Sequence, residues 1–102
     1  MSTASISLAP SGELLLAGVL DYRSGPALRE AGGKLIATHP AAVLSLNCAA
    51  VEKSSSVGLS LVLAFMRDAR AAGKSLVVCQ VPADMREIAQ VCELTEVLSL
   101  QA

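Results

Sequence analysis

Between Ser56 and Ala72 the chain runs without proline through small and apolar residues, and Gly73 stands where a helix C-cap commonly sits, so this stretch predicts a long helix. At 100° per residue its Val57, Leu59, Leu61, Val62, Leu63, Phe65, Met66 and Ala69 side chains spread over about 240°, whereas a helix lying on a sheet needs an apolar stripe of about 100°. Ser60, Ala64, Arg67 and Ala71 form the narrow strip that remains. A helix of this kind has to be covered twice. The second cover is either another element of the same domain or a partner, and the arc holding Leu61 and Phe65 is the candidate partner surface.

The flanking sequence supplies the sheet. Ser5 to Ala9 and Glu13 to Gly18 are short apolar-rich runs separated by Pro10-Ser11-Gly12, a turn cluster of the kind that joins antiparallel strands. Ser24 and Pro26 mark a helix start, Leu28, Ala31 and Leu35 recur at spacings of three and four, and Pro40 ends the pattern that Gly32-Gly33 weakens. Ala42 to Asn47 alternates as a strand does, and Cys48 to Ser55 reads as a connector. Beyond the long helix, Ser75 to Val81 reads as a buried strand stopped by Pro82. Asp84 is placed to cap a last helix with Met85, Ile88, Ala89 and Cys92 on one face. Glu96 to Ala102 fits a short strand or a helical turn. An opening hairpin followed by alternating helices and strands predicts an α/β fold: a mixed β-sheet opened by an antiparallel hairpin, with helices packed on it and residues 1–102 forming a single domain.

Apolar residues make up 53% of the chain and charged ones 17%, which suits a packed core and not a disordered segment. With a formal net charge of -1 and only Tyr22 and Phe65 as aromatics, neither phosphate neutralisation nor base stacking is provided for, and no nucleic-acid partner is expected. The odd number of cysteines, Cys48, Cys79 and Cys92, in apolar surroundings reads as buried thiols in a reducing compartment. Without a Cys-x-x-Cys pair and with His39 as the one histidine, no metal site is expected. His39 precedes Pro40 and reads as an exposed loop histidine. Gly32-Gly33-Lys34 lies inside a helical pattern and lacks the rest of a phosphate loop, while Asp68, Asp84, Glu87 and Glu93 occupy positions of solvated or capping charge. No nucleophile–base pair or paired carboxylates emerge, so the expectation is a protein without enzymatic activity or cofactor. Met-Ser-Thr-Ala-Ser lacks the features of a signal peptide, and the Val57 to Met66 apolar tract is far shorter than the roughly 20 residues of a membrane span. A cytoplasmic protein with no direct membrane insertion is expected.

One motif exceeds this background. Ser54-Ser55-Ser56-Val57-Gly58 opens the long helix, where at least one hydroxyl serves as cap and where free N–H groups and the helix dipole also favour an anion. A phosphorylatable or partner-contacting hydroxyl is suited to that place.

The order of elements and these residues resemble the STAS family, the domain of anti-sigma factor antagonists and sulfate-transporter tails. Gly18-Val19-Leu20-Asp21 is similar to the family's Gly-x-Leu-Asp segment, and Val43-Leu44-Ser45-Leu46-Asn47 resembles its central strand, with Asn47 where an aspartate is usual. Ser55-Ser56-Val57-Gly58-Leu59 lies on the family's Asp-Ser-Ser-Gly-Leu segment, and Met85 to Thr95 is similar to its last amphipathic helix. The short length and apolar helix are most similar to the MlaB branch, the stand-alone STAS subunit of phospholipid-transport ABC complexes in Gram-negative bacteria. That resemblance implies a cytoplasmic subunit, peripheral to the inner membrane, that binds an ABC transporter ATPase and, through it, a permease. It points to Ser56, with Ser55 and Val57, as the contact or regulatory residues. The other branch implies an anti-sigma factor antagonist whose partner is an anti-sigma factor kinase that phosphorylates Ser56. In that branch an aspartate precedes the acceptor, and here Ser55 replaces it.

Overall fold

The computed structural model describes residues 4–91. Strands β1 (Ser5–Leu8) and β2 (Leu14–Leu20) form the antiparallel hairpin, with Ser5 opposite Ala17 and Leu8 opposite Leu14. Helix α1 (Gly25–Thr38), strand β3 (Val43–Ser54), helix α2 (Ser56–Ala71), strand β4 (Ser75–Cys79) and helix α3 (Ala83–Val91) follow. The sheet runs β1-β2-β3-β4, and β2, β3 and β4 are parallel. The steps from β2 to β3 to β4 go one way across the sheet, so right-handed crossovers put α1 and α2 on the same face. Burial follows that face: Leu14, Leu16, Leu20, Leu44, Leu46, Leu76 and Val78 are buried, while Leu15, Val19 and Val77 between them are only half-buried.

β3 is longer than its sequence suggests, and the segment from Cys48 to Ser54 expected as a connector is strand. Its pairing with β2 slips twice, between Leu15/Ala17 and Gly18/Val19, each time with an extra residue on β3. Bulges of this kind replace strict alternation: Cys48, Val51 and Ser54 are buried, and Ala49, Ala50, Glu52 and Lys53 are exposed.

The second cover of α2 is internal. Leu61 and Phe65, expected as partner-facing, are buried at 5% and 0% exposure, because α1 lies along α2 and closes over them. Gly32 makes this possible, since a Cβ there would run into the Phe65 ring and would approach Ile6 Cδ1 to 3.2 Å. The glycines that weaken the helical pattern of α1 therefore serve the packing of α2. Arg29 ties the two helices with paired bonds of 3.1 and 3.0 Å to Asp68, which is engaged in an ion pair and not merely solvated. Ala64, placed on the small-residue strip, is buried as well.

His39 also departs from expectation. It is half-buried, its Nε2 donating to Gly12 O at 2.9 Å and its Nδ1 accepting from Ala41 N–H at 3.0 Å, so it latches the hairpin turn to the end of α1. Lys74 Nζ donates to the carbonyls of Ile36 and His39, both at 2.6 Å, and supplies the cation that the last turn of α1 does not itself carry. Cys48 is buried, whereas Cys79 is half-buried on the opposite face of the sheet, its thiol near Glu13 Oε2 at 3.8 Å and Leu46 O at 3.5 Å. Cys92 and the stretch from Glu93 to Ala102 lie outside the described residues.

Candidate functional site

The carboxyl ends of β2 and β3 meet at the start of α2. Leu20 O accepts both the Ser55 N–H at 3.1 Å and the Ser55 hydroxyl at 3.3 Å, which pins the end of β2 to the helix start. The Ser55 oxygen in turn accepts from Val57 N–H at 3.2 Å, so Ser55 is the N-cap and its side chain is used on both sides. Ser54 is buried and donates its hydroxyl to Ser55 O at 2.9 Å. Gly58 lets the helix approach this closely: a Cβ there would strike the Ser54 hydroxyl and lie 3.2 Å from Leu20 Cβ.

Ser56, the next residue, is exposed, and among the described residues its hydroxyl makes no side-chain hydrogen bond. Ser60, one turn later, is exposed beside it. Of the three hydroxyls in the run, one is buried, one caps the helix and Ser56 is left facing outward. Val57 is half-buried, with Cγ1 3.1 Å from where a Cβ on Gly25 would stand, so it packs beneath the start of α1. The five residues singled out from sequence thus separate: Ser55 and Ser56 at the surface, Val57 at its margin, and Leu61 and Phe65 in the core.

The supports of this corner come from distant segments. Asp84, expected as the cap of α3, lies inside its first turn instead: Oδ2 accepts from Ser54 N–H at 2.9 Å and Oδ1 from Met85 N–H at 2.9 Å, so the residue anchors α3 to the end of β3. Asp21 lies in the loop after β2, where the Arg23 side chain and then the Arg23 N–H hold its carboxyl below the ordinary value, partly opposed by desolvation. Tyr22 is the residue of this corner that sequence reasoning missed. It projects from the same loop at 76% exposure, and a large aromatic between two turn residues was the available signal. Chemically the corner offers an accessible hydroxyl, a helix N-terminus and an exposed aromatic, the means of a recognition surface. Among the described residues, no helix is long and apolar enough to cross a membrane.

A family model described as Mlab, STAS domain, matches residues 7–100. The crystal structure of an anti-sigma factor antagonist from Mycobacterium paratuberculosis is similar at a TM-score of 0.76 and 23% identity, over 98% of this chain and 85% of that one. The anti-sigma factor antagonist SpoIIAA in its unphosphorylated form is similar at a TM-score of 0.64 and 19% identity, over 86% of this chain and 82% of that one. No curated protein sequence matches. At these identities the two structures speak for the fold, and the family model, which runs from the end of β1 through the Ser55–Ser56 corner and α3, speaks for membership. The chain belongs to the STAS domain family, in its MlaB-like group.

Proposed function

We propose that the chain is a non-enzymatic, single-domain cytoplasmic subunit that binds and regulates the ATPase of an ABC phospholipid transporter. Through that ATPase it meets the membrane permease and contributes to outer-membrane lipid asymmetry. The observation that carries this reading is the outward Ser56 hydroxyl at the start of α2, in a chain matched over residues 7–100 by the Mlab, STAS domain model. Ser55 caps the Val57 N–H and the Ser54 hydroxyl donates to Ser55 O, which leaves the Ser56 hydroxyl available to a partner. The corner is also rigid: Leu20, Ser54 and Asp84 bind its backbone from separate elements, so docking orders few additional groups. Recovery of the tagged chain from native membranes should bring an ABC ATPase with it, identified by mass spectrometry. Recovery with a histidine-kinase-like protein and no ATPase would overturn the reading.

An anti-sigma factor antagonist switched at Ser56 is the second reading, favoured by the fold shared with two anti-sigma factor antagonists and by the accessibility a kinase requires of its acceptor. The Ser55 cap stands where that branch carries an aspartate. The intact mass of the native chain separates the two: phosphorylation that is lost on Ser56→Ala supports the switch, and an unmodified chain bound to the ATPase supports the transporter subunit.

A further inference from the structure

The loop after β2 is held from several sides. Asp21 Oδ1 accepts from Arg23 N–H at 2.9 Å and Ser24 N–H at 3.2 Å, and Oδ2 receives the Arg23 guanidinium at 3.0 Å. Ser24 Oγ accepts from Asp21 N–H at 3.0 Å and donates to Val19 O at 2.9 Å. At the tip Tyr22 stands free of the core, with the Arg23 guanidinium carbon 5.7 Å from its ring centroid. Next to Arg23 opens a cleft of about 710 Å³ whose walls include Ile6, Val19, Ala27 and Leu28. The fold buries little of this ring. An aromatic on a rigid loop, stacked by arginine and set beside an apolar cleft, has the composition and preorganisation of a protein-binding anchor.

We propose that Tyr22, backed by Arg23, is a hot-spot anchor for the ATPase that covers Ser56, an inference that rests on the transporter reading above. Continuity argues for this occupant: Leu20, whose carbonyl bonds the N–H and hydroxyl of Ser55, stands two residues before Tyr22, so the loop starts at the helix end that carries Ser56. The partner surface it fits has a slot with apolar walls and a polar group for the phenol, an acidic rim toward Arg23, and an apolar side chain for the cleft.

Tyr22 is the one tyrosine of the chain, so a fluorotyrosine-labelled protein reports on it alone by fluorine NMR. Titrated with the purified ATPase subunit, its signal should shift or broaden, and Tyr22→Ala should weaken binding at least about 10-fold with an unchanged melting temperature. Tyr22→Phe should lose less, since only the hydroxyl goes. An unmoved signal at saturation together with wild-type affinity of Tyr22→Ala, while Ser56→Glu still abolishes binding, would sink the anchor and leave the transporter reading standing. No binding of the wild-type chain to the ATPase would remove both.

Discussion

Phe65 is the largest fully buried side chain, and its ring occupies the place that a side chain on Gly32 would take. Phe65→Ala should therefore cost about 3–5 kcal/mol in chemical denaturation of the isolated chain. Gly32→Ala should destabilise by about 1–3 kcal/mol through overpacking, and Phe65→Leu should recover part of that loss in the double variant, because the two side chains contend for one space. Sequence alone could show that Phe65 belongs to an apolar arc too wide for a sheet, but not whether α1 or a partner closes it. The deciding feature is the missing side chain of Gly32, which in the sequence looks like a helix weakness. Cys48 gives a pH test at the same scale. Burial, and less so the neighbouring Cys79, pushes its thiol from 9.0 up to about 12. The folded chain keeps this proton when the unfolded chain releases it, so the stability linked to Cys48 is complete below about pH 9 and is lost as pH rises toward about 12. Urea midpoints measured at pH 8 and pH 10.5 should fall further for the wild type than for Cys48→Ala.

At the level of elements, the end of β3 is where packing and recognition join. Asp84 anchors α3 to Ser54 N–H, and Asp84→Ala leaves that part-buried donor without its partner, a loss of about 1–3 kcal/mol. Hydrogen exchange should locate the effect, with the Ser54 and Met85 amides losing protection before those of β2. Equal exchange in wild type and variant would mean that the carboxylate does not hold the corner. The hairpin, α1, α2 and β4 were legible because turn clusters, prolines and 3.6-residue periodicity mark them locally. The second half of β3 was not legible, since two bulges replace its alternation by a buried residue at Cys48, Val51 and Ser54. His39 was misread for a related reason: its partners, Gly12 O and Ala41 N–H, are set by the tertiary meeting of hairpin and helix end.

On the scale of the whole molecule, the sheet gathers its helices on one face and places Ser55, Ser56 and the Tyr22 loop at the carboxyl ends of neighbouring strands, a usual location for sites in α/β folds. The hydroxyl run was visible in the sequence, but the division of labour among Ser54, Ser55 and Ser56 required the positions of Leu20 and Asp84, which lie far from it along the chain. The central claim is that Ser56 meets a partner ATPase. A negative charge at this helix N-terminus favours the free fold by about 0.3–1 kcal/mol, so Ser56→Glu should melt at or slightly above the wild-type temperature. Against a partner the same charge loses its hydration without an assured counter-charge, at a cost of several kcal/mol. Ser56→Ala removes no more than one bond across the contact, worth about 1 kcal/mol. The decisive measurement is the affinity of both variants for the purified ATPase subunit, taken alongside their melting curves. Retained stability with binding lost in Ser56→Glu and nearly kept in Ser56→Ala is the predicted result, whereas wild-type binding by both would place Ser56 outside the contact and contradict the account.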